Sequence, residues 1–583
     1  MAAAPNLPEH VPRGRIPPPA QWTLILLLFI AAAVAATWPL ASDLGAGLPL
    51  GSERVATVPL FNLWTLAWNV ESVGHGYANY WQAPIFHPTA DAFALSEPQP
   101  VLGLLAAALS AAGLSTVQVY NLLLIAALTG NGLLMTLLLR RIGLGWAAAV
   151  AGGGLGLMLP FTHQELGVLQ LVPLVGVLLF ALAVLRFSES PGVAAGSALG
   201  GALALAYGLS SQVAAFAALA FTPVALWLWW PLRRRRGAWI GLAAGVALFF
   251  ALVSPLVIAQ VRATSAEDFV RAEETVRKHS ARPGHYVKTA WPQLIPTPGV
   301  EPAKRPSSRA FWPGTVRVLL AVLAAVAAWR SRRWRRIGVA GLLLLTASVL
   351  LSFGGHLAWG SVTLPKVLGL LPGLGQIRSF FRFALFAQLA VVALAAGGLH
   401  AVATAVGERV QPTPRPRQIF GQLPVLALCL VAVLELRAGG VEITELPPLD
   451  GDLPWLSWIE ENTEPRDVLA FLPFPEGRSA GDYLTTSQWM YWQQRHWRPM
   501  VNGYSGFFPR PFKTIKKSME DFPSAPTLQA LYDVGVRYCV VPRSVINESP
   551  PPDPNGPIQL EPAFRDEEHE LAIFALRKAT ETR

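Results

Sequence analysis

Long apolar runs separated by short arginine clusters set the pattern of the first three quarters of the chain. The runs are Trp22 to Leu40, Val117 to Leu139, Leu144 to Leu159, Leu166 to Leu185, Val193 to Leu209, Val213 to Trp230, Ala238 to Ile258, Val316 to Trp329, Ile337 to Phe353, Phe383 to Leu399 and Ile419 to Leu436. Crossing roughly 30 Å of hydrocarbon takes about 20 mostly apolar residues, so the pattern predicts about eleven membrane-spanning helices. The arginines test that reading, because short cytoplasmic loops retain Lys and Arg. Arg13 with Arg15, Arg140 with Arg141, Arg186, Arg233 to Arg236, Arg330 to Arg336 and Arg409 to Arg417 all fall on one side of an eleven-span path. The expected topology has the N-terminus in the cytoplasm and the C-terminal stretch outside. "VLGLLAAALSAAGL", Val101 to Leu114, would invert every later loop if counted, so it reads as a juxtamembrane or re-entrant helix in the outer interface.

Three outer segments interrupt the runs: 41–116, the proline-rich 260–311, and the connector from Gly354 to Arg382. The first contains "SERVATVPLFNLWTLAWNVE", whose Trp64 and Trp68 stand at helical spacing. It predicts an interfacial helix laid on the outer surface, with both tryptophans toward the bilayer or the bundle. Beyond the last run the pattern changes. "LPWLSWIEEN" reads as an amphipathic helix, "RDVLAFLPFP" as a strand, and "TLQALYDVGVRYCVVP" as helix, glycine turn and buried strand, with a last strand at Glu570 to Leu576. The expected organisation is a cytoplasmic tail (1–21), a transmembrane all-α bundle (22–437) and an outer soluble α/β domain (438–583).

Composition narrows the function classes. The 583 residues are 52% hydrophobic and 14% charged, as in a polytopic membrane protein. The net charge of +10 is mostly arginine at span ends, so topology explains it and a nucleic-acid partner is excluded. Trp22 to Leu40 is expected to stay as an anchor rather than be cleaved as a leader. Trp22, Trp38, Trp229 and Trp312 stand at run ends, as an interfacial aromatic belt requires. Cys429 and Cys539 give neither a disulfide framework nor zinc spacing. No G-x-G-x-x-G, P-loop, G-x-S-x-G or H-E-x-x-H motif occurs. Intramembrane acids are nearly absent, Glu435 being the main exception, which disfavours an ion-coupled transporter.

The wording of several segments is more specific. "VPLFNLWTLAWN", "IFHPTADAFALSEPQP", "YNLLL", "LLLRRIG", "GLGQIRSFFRFALFA" and "HWRPMVNGYSGFFPRPF" resemble a bacterial group of multi-span proteins near the GT-C superfamily. GT-C proteins are integral-membrane glycosyltransferases that use polyprenyl-phosphate-linked sugars. The resemblance implies a GT-C-like bundle with interfacial helices in the first outer loop, in a bacterial inner membrane. It implies a lipid-linked sugar donor, a glycan, lipid or protein acceptor, and contact with membrane lipids. A non-catalytic or transporter role in handling lipid-linked glycans is the alternative.

In GT-C enzymes a carboxylate in the first outer loop serves as base or orients the acceptor or a metal; no cofactor is otherwise implied, and a divalent metal stays open. Here Val58 stands where the related group carries an aspartate before the proline, and Gln82 or its neighbour replaces a second acid. Among the acids in the loop are Glu53, Glu71, Asp91 and Glu97. Glu97 matches the group's pattern best, Glu53 lies nearest upstream of the vacated position, and Glu97, Glu53 and Asp91 are the catalytic candidates. Arg378 and Arg382, and Arg282, His285, Tyr286 and Lys288, are candidates for the lipid phosphate, against snorkelling or stray outer charge. His163 and Glu165 read as sugar or acceptor contacts or as a polar turn, and His87 as a turn residue. Asn502 and Tyr504 suit hydrogen bonding to a sugar, or packing of the outer domain on the bundle.

Overall fold

The computed structural model describes residues 19–583 apart from 268–271, 304–308, 330–331, 361, 371–374, 376, 411–413, 437–439, 450, 452, 549–555 and 580–583. Arg13, Arg15, Arg330 and the side chains of Arg332, Arg333, Arg409, Arg415 and Arg417 lie outside the described residues.

The helices run α1 Pro19–Ala36, α2 Thr57–Gly74, α3 Pro100–Ala111, α4 Thr116–Ile142, α5 Trp146–Leu157, α6 Pro160–Gln164, α7 Val175–Glu189, α8 Val193–Leu209, α9 Ser211–Trp229 and α10 Arg236–Ala266. They continue with α11 Glu273–Lys278, α12 Thr315–Ala328, α13 Arg332–Ser352, α14 Leu364–Leu368, α15 Ala384–Val410, α16 Pro414–Leu434, α17 Pro454–Asn462 and α18 Leu484–Gln493. Among the described residues, seven helices are long and apolar enough to cross a membrane. Of the other expected spans, α5, α8 and α12 fold as shorter helices. At 12 residues α3 is about 18 Å long, too short to cross.

Packing in the bundle follows residue size. On α8, a Cβ at Gly196 or Gly200 would come within 1.7 or 2.0 Å of the Gly241 or Gly245 carbonyl of α10, so only glycine permits this approach. One end of the bundle gathers the arginines. Arg141 pairs with Glu189, joining α4 to α7, and Arg336 donates to the Leu228 carbonyl at 2.7 Å, joining α13 to α9. Glu435 accepts from the backbone N–H of Thr315 and Val316, so this acid neutralises the N-terminus of α12.

The C-terminal stretch holds a four-stranded sheet of β3 Val468–Phe471, β4 Val536–Pro542, β5 Ile558–Asp566 and β6 Leu571–Lys578, in the order β3-β4-β6-β5. The β3–β4 pair is parallel and the other two pairs are antiparallel. This stretch is tied to the 41–116 segment. β1 Gly47–Pro49 pairs antiparallel with β2 Ile443–Glu445, and Phe86 N–H donates to the Asn502 carbonyl at 3.0 Å. A single apolar core joins Phe61, Trp64 and Phe93 of the loop to Trp455, Trp489 and Met500.

That shared core corrects the expected placement of α2. The helix is buried along nearly its whole length rather than laid on a bilayer surface. Trp64 is fully buried, and its Nε1–H donates to Gln493 Oε1 at 3.0 Å; Trp68 donates to the Tyr80 carbonyl at 3.0 Å. Asn62, Thr65 and Asn69 donate to carbonyls one turn back, which lets polar residues sit in a buried helix.

Candidate functional site

At the end of the bundle away from the arginine-rich loops, four distant pieces of chain bring Glu53, Glu165, Arg378, Arg382 and Tyr504 into one electrostatic cluster. Glu53 sits between β1 and α2, and its backbone is fixed on the segment after α6. Ser52 N–H donates to the Gln164 carbonyl at 2.7 Å, and Leu50 N–H to the Glu442 carbonyl at 3.0 Å. Gly51 makes this possible, with φ of +60° and a position where a Cβ would fall 2.5 Å from the Gln164 carbonyl. Glu165 follows directly.

Arg378 and Arg382 enter from the turn before α15, whose Phe380, Phe381 and Phe383 are buried. Phe383 stacks on Phe216 with centroids 4.0 Å apart, anchoring the turn to α9. Arg382 Nη1 donates to Gln212 Oε1 at the start of α9. Tyr504 comes down from the C-terminal stretch, edge-on to Phe61 at 5.4 Å. The sequence reading did not single out Gln212; only its place at the N-terminus of an apolar run marks it.

Burial raises the Glu53 carboxyl above the usual range, against the pull of Arg382. Burial raises Glu165 further, to about 7, opposed by Arg382 and aided by the negative charge of Glu53. Tyr504 is pushed up to about 12, chiefly by burial, so it stays a neutral hydroxyl. Burial and then the charge of Arg382 lower Arg378. Glu165 Oε1 and Arg382 Nε are both buried without a hydrogen-bond partner. An unpartnered carboxylate oxygen and an unpartnered guanidinium N–H in one centre leave an acceptor and a donor for a ligand.

The remaining sequence candidates lie elsewhere. Glu97 does not stand with Glu53: Oε2 accepts from Ser210 Oγ at 2.8 Å, and Oε1 from Ser211 Oγ at 3.2 Å and Gln212 N–H at 3.0 Å. It caps the N-terminus of α9, where the orphan N–H groups and the helix dipole favour an anion. Asp91 accepts from Gln82 Nε2 at 2.6 Å, beside an open cleft walled by Tyr77, Tyr80 and Trp81. His163 is held near 4 by burial, Nε2 facing the Leu157 carbonyl at 3.1 Å, close to Arg317 of α12. Asn502 is fully used: Nδ2 donates to the Phe471 carbonyl and Oδ1 accepts from Phe471 N–H, both at 2.8 Å. Tyr286 shares a hydrogen bond with Ser352 at 2.8 Å and packs on Phe311. Arg282 and Lys288 are exposed on the loop. Val58 packs against the bundle core.

Among the described residues no group of three His, Cys, Asp or Glu side chains that could hold a metal ion occurs, and Arg382 supplies counter-charge to both carboxylates.

No protein-family model matches the chain, and no curated protein matches it in sequence. Among solved structures it is similar to the arabinofuranosyltransferase AftD from Mycobacteria, 12% identical over 96% of this chain and 40% of that one, with a TM-score of 0.54. It is similar, at a TM-score of 0.47 and 13% identity, to ArnT from Cupriavidus metallidurans bound to undecaprenyl phosphate, over 96% of this chain and 98% of that one. The archaeal oligosaccharyltransferase AglB from Archaeoglobus fulgidus, in complex with an inhibitory peptide and a dolichol-phosphate, has the same score and identity over 90% of this chain and 70% of that one. The chain spans about two fifths of the length of AftD, whose score carries the likeness of fold. Its long apolar helices and this likeness make it a membrane protein with a GT-C-like fold.

Proposed function

We propose that the chain is a membrane glycosyltransferase that moves a sugar from a polyprenyl-phosphate donor to an acceptor hydroxyl at the outer face of a bacterial inner membrane. One observation carries the reading: Glu53 and Glu165 converge with Arg378 and Arg382 at one end of the bundle, beneath a C-terminal roof that contributes Tyr504. The fold shared with an arabinofuranosyltransferase supports the class. In this reading about eleven helices cross the bilayer, the N-terminus is cytoplasmic, and residues 438–583 form the outer α/β unit.

The half-buried Glu53 takes the proton of the acceptor hydroxyl as its oxygen bonds to the anomeric carbon. The bond from that carbon to the phosphate oxygen breaks, and its electron pair leaves with the lipid phosphate, which goes from phosphodiester monoanion to phosphomonoester dianion. Arg378 and Arg382 face the added charge. Glu165 sets the basicity of Glu53, because once ionised it competes for Arg382 and frees Glu53 to accept a proton. Glu53 thus supplies the carboxylate that Val58 does not, from the loop just ahead of α2 rather than from its first turn.

The test is transfer of radiolabelled sugar from polyprenyl-phosphate donors to membrane acceptors by the chain in nanodiscs. Transfer by the natural protein and its loss in Glu53→Gln supports the proposal. Donor binding without transfer from any polyprenyl-phosphate sugar supports the non-catalytic alternative, which the valine at position 58 favours.

A further inference from the structure

A second concentration of charge lies behind the Phe380–Phe383 turn. Arg309 and Arg382 each lie near the Phe381 ring, at 5.7 and 5.8 Å from its centroid, and the charged neighbours of Arg309 include Arg282. Those neighbours surround an open cleft of about 440 Å³ lined by Arg277, Arg282, Pro283, Phe353, His356 and Leu357.

The cleft is a built feature. Arg277 comes from α11, Arg282 from the turn that precedes Tyr286, and His356 from the turn after α13. Ala281 N–H donates to the Ser352 carbonyl at 2.8 Å, and Gly355 N–H to Ser280 Oγ at 2.9 Å, locking the two turns together. A Cβ at Gly355 would lie 3.0 Å from the Arg277 Cα, so the backbones are in close contact.

Among the described residues no acidic side chain lines the cleft. Among the described residues neither Arg277 nor Arg282 has an ion-pair partner, and Glu273 of α11 is engaged by Lys366 at 2.8 Å. His356 Nε2 is buried with no hydrogen-bond partner. Burial lowers His356, as do Arg282 and Arg277; burial lowers His285 to about 4, together with Arg309, Lys288, Arg282 and His356. Every charged neighbour of these imidazoles is a cation. The bias that collects arginines in cytoplasmic loops does not account for them, since the cleft lies at the opposite end of the bundle. Uncompensated guanidinium groups converging on one cavity match the tetrahedral oxygens of a phosphate, which they bind with charge-assisted hydrogen bonds.

We propose that the Arg277–Arg282–His356 cleft is an oxyanion site for a phosphate or diphosphate group, separate from the donor phosphate facing Arg378 and Arg382. The group belongs either to an anionic lipid headgroup or to a phosphorylated soluble molecule. The site does not depend on glycosyl transfer for its detection.

The test is arginine footprinting of the full chain in phosphatidylcholine nanodiscs, with phenylglyoxal as reagent and inorganic diphosphate as probe, read by mass spectrometry. Diphosphate is expected to slow modification of Arg277 and Arg282 about tenfold, to do so equally in Arg378→Gln, and to need about tenfold higher concentration in His356→Ala. Protection that also appears in phosphatidylglycerol discs without added diphosphate assigns the lipid headgroup; protection by diphosphate alone assigns the soluble group. Absence of protection in both disc types overturns the proposal, and protection lost in Arg378→Gln overturns a separate site. Loss of transfer in Glu53→Gln bears on neither outcome, so this inference and the proposed activity fail independently.

Discussion

The two charged regions at the end of the bundle away from the arginine-rich loops are built on opposite principles. In the Glu53 centre, two carboxylates face the Arg382 guanidinium, with Arg378 beside it, and each acid is held above its ordinary range by burial while Arg382 pulls it back. Around Arg282 the charged side chains that act on the imidazoles are, among the described residues, all cations, and burial combines with them to lower both imidazoles. A balanced cluster can shift protons among its own members; an unbalanced one is completed only by something from outside. The difference supports the two proposals, proton transfer in the first region and anion binding in the second.

The sharpest way to break this comparison is to remove the acid that meets the acceptor. Glu53→Gln is expected to lower transfer by about 10²- to 10⁴-fold, the usual contribution of a positioned general base, while leaving protection of Arg282 by diphosphate intact. Arg382→Gln is expected to cost about 10²-fold in transfer through lost stabilisation of the leaving phosphate. It also removes the cation that lowers Glu165, so the pH at which transfer is half-maximal should move up. A rate assay from pH 5 to 9 checks both; unchanged profiles would mean the balanced cluster is structural.

Glu165 gives the next effect. Its carboxyl is raised from 4.5 to about 7 in the folded protein, so the fold holds the proton more tightly than the unfolded chain does. The resulting stability is fully present below about pH 4.5 and is lost as pH rises through about 7, amounting to about 3 kcal/mol. Glu165→Gln should therefore raise Tm at pH 8 and change it little at pH 4, and it should flatten the rise of transfer rate around pH 7.

The sequence pattern made much of this architecture legible and left the site's membership partly hidden. Apolar runs and arginine clusters carry period and topology, so the bundle helices, the short helix at Pro100–Ala111 and the strand at Val536–Pro542 could be read from them. The close contact of α8 with α10 at Gly196 and Gly200 fits small residues recurring four apart on one helix. Trp64 and Trp68 misled, because tryptophans outside a span suit a bilayer surface as well as a protein core. Only the distant partner Gln493 decides for the core. Glu97 misled for a related reason: motif position says that a carboxylate is wanted near the loop, and not whether its oxygens are already taken by α9. Glu165 and Arg382 could be named, but their joint role required the 164–52 backbone contact that folds two loops together.

Glu97 offers the smallest expected effect and the cleanest contrast with Glu53. Both are loop carboxylates, yet Glu97 receives three hydrogen bonds from the first residues of α9 and its cap, whereas Glu53 faces a charge. Glu97→Ala removes the acceptor for the Gln212 N–H and leaves the helix dipole uncompensated, at a cost of about 1–2 kcal/mol read as a lower Tm. Since Gln212 also holds Arg382, the loss should reach the centre only as a loosened guanidinium, with transfer lowered less than about tenfold and its pH midpoint unchanged. A Glu97→Ala effect as large as that of Glu53→Gln, with normal stability, would return Glu97 to the chemistry and leave Glu53 as its support.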